Sequence, residues 1–133
     1  MKIKEKKILK GVLVDVENNE IKKVEVKDSL HSFYKLLKCD TIDIVIRNIN
    51  GVNVAIVCDD DGLFKSDQIP SVLTLHNGEV VEQIVNNVLI FSADTDDDGN
   101  MLSLSDEEIN QLLSKSMVFV QEHREQNILV ANL

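Results

Sequence analysis

Two β-rich runs, Thr41 to Ile49 (TIDIVIRNI) and Val52 to Cys58 (VNVAIVC), flank Asn50-Gly51, and this feature most narrows what the chain can become. Asn-Gly takes positive φ at little cost, as a two-residue type I′ hairpin requires. In the first run Ile42, Ile44 and Ile46 alternate with Asp43, Val45 and Arg47. One face is therefore buried and the other at least partly wet. A sheet built from antiparallel hairpins is the frame into which the other segments must fit.

Upstream, Ile8 to Val16 reads as a strand, Asn18-Asn19 as a turn and Ile21 to Val26 as a second strand, giving another hairpin. Asp28 or Ser29 then caps a short helix over about 29–38, because Leu30, Phe33, Tyr34 and Leu37 fall on one helical face. Residues 63–80 contain Pro70, His76 and Asn77-Gly78 and read as loop with short extended pieces. Val80 to Ser92 fits helical and strand spacing in part, and a strand from about Val85 to Ala93 is favoured. The acidic turn Asp94 to Asn100 and a short strand from Met101 to Leu104 follow. Ser105-Asp106-Glu107-Glu108 is a capping-box helix start, with acids at the positive end of the helix dipole. Ile109, Leu112, Leu113, Met117 and Val120 continue one face, so the spacing predicts a longer C-terminal helix over about 106–120. From about 121 onward the reading is a tail in which Ile128-Leu129-Val130 forms a last strand or docks on a partner.

The fold class expected is α+β: a mainly antiparallel sheet built from hairpins and packed by two helices, in a single domain over 1–133 with a flexible, lysine-rich start. A chain of 133 residues is long enough to bury one core without disulfides or a structural metal. Aromatics make up only 4% of it, so that core must be aliphatic, and a single proline with five glycines leaves little material for linkers. No apolar run approaches the roughly 20 residues that span a bilayer, and the start carries no secretory segment. The expectation is a cytoplasmic protein without a membrane partner, with Cys39 and Cys58 as free structural thiols. His31, His76 and His123 share no metal-ligand spacing with the cysteines, which argues against zinc.

The net charge of −9 is unevenly spread. Residues 1–38 hold ten lysines against six acids, and all but four of the basic residues lie there. Repulsion from the rest of the chain argues against duplex nucleic acid as a direct partner. Lys22 and Lys23 on the second strand, together with Arg47, are the candidates for holding a small anion; Arg47 and Arg124 are the only arginines, and Arg47 on its apolar strand is preferred. Asp94, Asp96 and Asp98, followed by Gly99, imitate the first half of a calcium loop. The glutamate that would close such a loop is replaced by Ser105, leaving at most a weak cation module. Asp59, Asp60 and Asp61 form a second acidic turn, and with Asp94, Asp96, Asp97 and Asp98 it makes a candidate surface for imitating the phosphates of DNA toward a basic protein. No nucleophile elbow, phosphate-binding glycine loop, dinucleotide fingerprint or activated cysteine is present, so no catalytic residue and no cofactor are assigned.

The order of these signals carries a resemblance. A hairpin is followed by the Ser29-Leu30-x-x-Phe33-Tyr34 helix, strands around Asn50-Gly51, the Cys58-Asp59-Asp60-Asp61-Gly62 strand end, and Asp98-Gly99-x-x-Leu102-Ser103-Leu104-Ser105-Asp106-Glu107-Glu108-Ile109. Over roughly residues 11–113 this resembles a family of small proteins defined only as a domain of unknown function and carried by Gram-positive phages, conjugative elements and related genomes. The resemblance implies an accessory protein that acts by stoichiometric binding, including counter-defence capture of a signalling nucleotide or a host protein. It transfers no site residues, because its motifs are strand, turn and cap signals. The function expected is therefore non-enzymatic sequestration of a small anionic nucleotide or a host protein. The acidic DNA mimic and the weak calcium module are the alternatives, and self-association is compatible with all three.

Overall fold

The computed structural model describes residues 7–61, 68–114, 116–121 and 123–133. The lysine-rich start as far as Lys6 lies outside these residues. The elements run β1 (Ile8–Asp15), β2 (Glu20–Lys27), α1 (Leu30–Leu37), β3 (Ile42–Ile49), β4 (Val52–Asp59), β5 (Pro70–His76), β6 (Glu79–Val85), β7 (Val88–Thr95), β8 (Met101–Leu102), α2 (Asp106–Leu113), β9 (Met117–Gln121) and β10 (Arg124–Asn132). The strands form one sheet in the order β2-β1-β7-β4-β3-β10-β5-β6, with β8 beside β7 and β9 beside β10. All pairs are antiparallel except β10 with β5. The α+β, largely antiparallel architecture follows from the hairpin signals.

The position of each strand follows its pattern. β4 (VNVAIVCD) and β7 (VLIFSADT) carry near-continuous apolar runs, which suits strands covered on both faces. On one face, Leu9, Leu13, Val57, Leu89 and Phe91 pack beneath α1 through Phe33 and Leu37. The Phe33 and Phe91 rings meet at 5.8 Å between centroids, tilted by 37°. On the other face, Val12, Val14, Val54, Ile56, Val88 and Ile90 meet Ile109 and Leu112 of α2, Val72 of β5, Ile84 of β6, and Leu129 and Ala131 of β10. The sheet therefore curls so that its β10-β5-β6 end lies over its own middle. Arg47 of β3 shows the same curl, reaching Glu82 of β6 although β10 and β5 lie between them in strand order.

The structure differs from the sequence reading in four places. The C-terminal helix stops at Leu113 and does not reach 120. Ser114 caps it, and Met117, Val118 and Val120 continue as β9, where β-branched side chains fit a strand better than a helix. Of the two readings of the tail from about 121, the last strand is what forms: β10 is an interior strand, longer than Ile128-Leu129-Val130, and its Leu129 and Ala131 are fully buried. Much of the expected loop over 63–80 is the β5–β6 hairpin, which turns on Asn77 (φ 51°) and Gly78 (φ 81°). The strand expected from Val85 begins at Val88, after Asn86 takes a left-handed turn.

Candidate functional site

At one end of the sheet, β1 and β4 finish, β7 and β10 begin, and the C-terminus of α1 arrives. Their ends enclose a cleft of about 560 Å³ lined by Val16, Glu17, Leu37, Lys38, Asp59, Gln68, Ile69, Asn86, Asn87 and Arg124. Its walls are fixed by two adjacent amides between β6 and β7. Buried Asn87 accepts a hydrogen bond at Oδ1 from the Val16 backbone N–H (2.9 Å) and donates from Nδ2 to the Leu36 carbonyl (3.3 Å), tying β1 to α1. Asn86 exchanges bonds with Ile69: its N–H reaches the Ile69 carbonyl (2.7 Å), and its Oδ1 accepts from the Ile69 N–H (3.2 Å). Gln126 of β10, 5% exposed, donates to the Val16 carbonyl (3.4 Å). Each backbone group so covered would otherwise be a costly unpaired polar atom.

The charges in the cleft are mixed. Lys38 closes α1 in a left-handed conformation (φ 54°) and pairs with Glu17. Asp59 is buried and accepts from the Asp61 N–H at 2.9 Å. The Arg124 guanidinium is exposed, with no hydrogen bond or ion pair among the described residues. Val16, Leu37 and Ile69 supply the apolar surface. Such a cleft can hold a flat polar molecule on the apolar surface, hydrogen-bond its edge through amides, and meet an anionic group with Arg124.

The residues singled out in the sequence lie elsewhere, apart from Asp59. Lys22 and Lys23 are neighbours on β2 and point to opposite faces. Lys22 pairs with Glu20 (3.3 Å) and Lys23 with Asp106 of α2 (2.9 Å). Arg47 makes a two-pronged pair with Glu82, Nε to Oε1 at 3.2 Å and Nη2 to Oε2 at 2.8 Å. Three strands separate β2 from β3, so the structure does not bring the lysines and Arg47 together. Asp60 and Asp61 stand with Asp59 at the end of β4, where the Thr41 hydroxyl donates to Asp61 (3.2 Å). Asp94, Asp96, Asp97 and Asp98 stand at or beyond the far end of β7. Since Val57 faces Leu89 and Val54 faces Ser92, the two acidic turns lie at opposite ends of this pair, roughly 23 Å apart at about 3.3 Å per residue.

Asp96 turns into its own loop, accepting from the Asp98 N–H (2.9 Å), the Asn100 N–H (2.8 Å) and the Asn100 amide (3.2 Å). The bonds from Asn100 lead in holding its carboxyl below the usual range. Among the described residues no group of three or more His, Cys, Asp or Glu side chains is placed to hold a metal ion. A smaller hollow of about 170 Å³ lies between β4 and β6, lined in part by Asp43, Cys58, Asp59, Asp60 and Glu82. Burial, reinforced by those four carboxylates, pushes the Cys58 thiol up to about 12, so it is a protonated thiol at neutral pH. Among the described residues, no helix is long and apolar enough to cross a membrane.

Lys38, Gln68 and the Asn86-Asn87 pair were not singled out from the sequence, and Arg124 was weighed there beside Arg47 and passed over. For the amides the available signal was their adjacency inside the apolar run VVEQIVNNVLIF, since buried amides there must find partners. No curated protein and no solved structure matches the chain. A family model described as a domain of unknown function (DUF3846) matches residues 9–116, and the chain belongs to that family.

Proposed function

We propose that the protein is a non-catalytic accessory protein of Gram-positive phages and conjugative elements, working in the host cytoplasm, that captures a small anionic nucleotide in the cleft and releases it unaltered. The observation that carries this reading is the Arg124 guanidinium, exposed and unpaired among the described residues, on a cleft of about 560 Å³ with apolar surface. Small-molecule sites commonly fall between about 300 and 1,000 Å³ and combine apolar walls with a few convergent polar groups. Val16, Leu37 and Ile69 suit the face of a base, Gln68 and Asn86 suit its edge, and Arg124 has the fork that matches phosphate. Lys22, Lys23 and Arg47, each matched by a carboxylate, keep supporting roles in the fold. Arg124 falls beyond the residues matched by the family model, whereas the other lining residues fall within them.

The test is isothermal titration calorimetry with nucleoside monophosphates, cyclic dinucleotides and the corresponding nucleosides. Saturable one-to-one binding of a phosphate-bearing compound is expected, with the compound recovered chemically unchanged. Arg124→Ala should weaken it at least about tenfold, the scale of a lost charge-assisted hydrogen bond, while leaving the protein folded. The reading fails if no nucleotide gives heat and native mass spectrometry of the protein from its host shows no retained small molecule. It also fails if the bound compound is converted.

A further inference from the structure

The two halves of β10 have different attachments. Leu129 to Asn132 pair in parallel with Val72 to Leu75 of β5, inside the sheet. Among the described residues, Arg124 to Ile128 pair in strand fashion only with β9, whose Met117, Val118 and Val120 are each more than half exposed. The β9–β10 hairpin is thus an arm that leaves the sheet at residues 128 and 129 and carries Arg124, the cleft's exposed guanidinium, near its turn.

One residue of the β1–β2 turn holds this arm down. Asn19, left-handed at φ 54°, accepts at Oδ1 from the Asn127 backbone N–H (2.7 Å) and donates from Nδ2 to the Glu125 carbonyl (3.3 Å). Its own carbonyl accepts from the Asn127 side-chain amide (3.0 Å). Gln126 adds the longer bond to Val16. These bonds use side chains in place of a strand ladder, and the three at Asn19 are exposed to competing water.

We infer that the arm is a latched flap over the cleft: Asn19 is the latch, and its release swings Arg124 away from the other lining residues. The inference rests on reading the cleft as the ligand site. It adds that access is set by an opening equilibrium of the arm, with Asn19 and Asn127 as positioning residues for Arg124. A ligand whose anionic group meets Arg124 would hold the flap shut, so binding and closure are one coupled event. Among the described residues of the arm, Gln126 (5% exposed) and Ile128 (3%) are the buried side chains, while Met117, Val118, Val120, Arg124 and Glu125 are exposed, so opening uncovers little apolar surface.

Hydrogen exchange measured by mass spectrometry on the ligand-free protein tests it. Peptides covering 117–128 should exchange faster than those of β4 and β7 in the wild type. Asn19→Gly keeps the left-handed turn and deletes two latch bonds; it should accelerate exchange in 117–128 by roughly tenfold and leave β4 and β7 unchanged. Asn127→Ala, which deletes the third bond from the opposite side, should act in the same direction. Equal protection of the arm and the core in the wild type overturns the inference, as does a uniform acceleration across the chain in both variants. Because no ligand is present, this outcome is independent of whether any nucleotide binds.

Discussion

Single atoms decide several properties of this protein. A methyl group placed on Gly11 would lie 2.2 Å from the Ile90 carbonyl oxygen and 2.6 Å from a ring carbon of Phe91, and the first of these is backbone that cannot rotate away. Gly11→Ala should therefore cost about 3 kcal/mol in a urea melt, at the upper end of overpacking penalties. Asn87 acts in the opposite sense, by supplying bonds. Its replacement by alanine strips partners from the Val16 N–H and the Leu36 carbonyl, and a loss of about 2–4 kcal/mol is expected by thermal or urea melting. Cys58 links one atom to pH. Its pKa is higher in the folded protein than in the unfolded chain, so the contribution is complete below about pH 8.5 and is lost as pH rises toward 12. In paired urea melts at pH 8 and pH 10.5, the deficit of Cys58→Ala relative to wild type should shrink by roughly 1–2 kcal/mol. A constant deficit would contradict the buried, acid-lined position of the thiol.

At the scale of elements, what could be read from the sequence was what is encoded locally. Asn50-Gly51 turns β3 into β4, with Ile49 opposite Val52 as a two-residue turn requires, but Ile44 and Ile46, expected on the buried face, are exposed, and it is the Val45, Arg47 and Ile49 face that turns inward. Ser105 and Glu108 form both bonds of the capping box that starts α2, at 2.9 and 3.1 Å. Ser105→Ala should lower stability by about 1 kcal/mol in a thermal melt. Asn77-Gly78 is the same kind of signal as Asn50-Gly51, yet together with Pro70 and His76 it made the stretch read as loop. Pro70 is accommodated at the first residue of β5, where a proline costs little. Met117 and Val120 lie three residues apart, a spacing that suits a helix face, which is why α2 looked longer than it is. Strand formation there depends on β10, about a turn's length away, and helix spacing does not register that partner. The cleft was least legible because its ten lining residues come from six stretches of chain. None of those stretches carries a motif; only their assembly makes a site.

For the molecule as a whole, the net charge of −9 implies self-repulsion that salt should relieve. Raising NaCl from 20 to 200 mM should raise the melting temperature by about 2–4 °C, read by scanning calorimetry. The Arg47–Glu82 pair, with side chains 17% and 34% exposed, is less open to screening and should continue to tie β3 to β6 across the curl. The parallel pairing of β10 with β5 has a separate consequence, for the timing of assembly. The strand that joins β3 to β5 is made after every other described strand. Until it is released, β5 and β6 form a hairpin with an open edge, and Val72 and Ile84 lack the Leu129 and Ala131 that complete their surroundings. A nascent chain stalled at that stage presents an unpaired strand and an unfilled apolar groove, and this is when it is most exposed to misassociation and most dependent on chaperones.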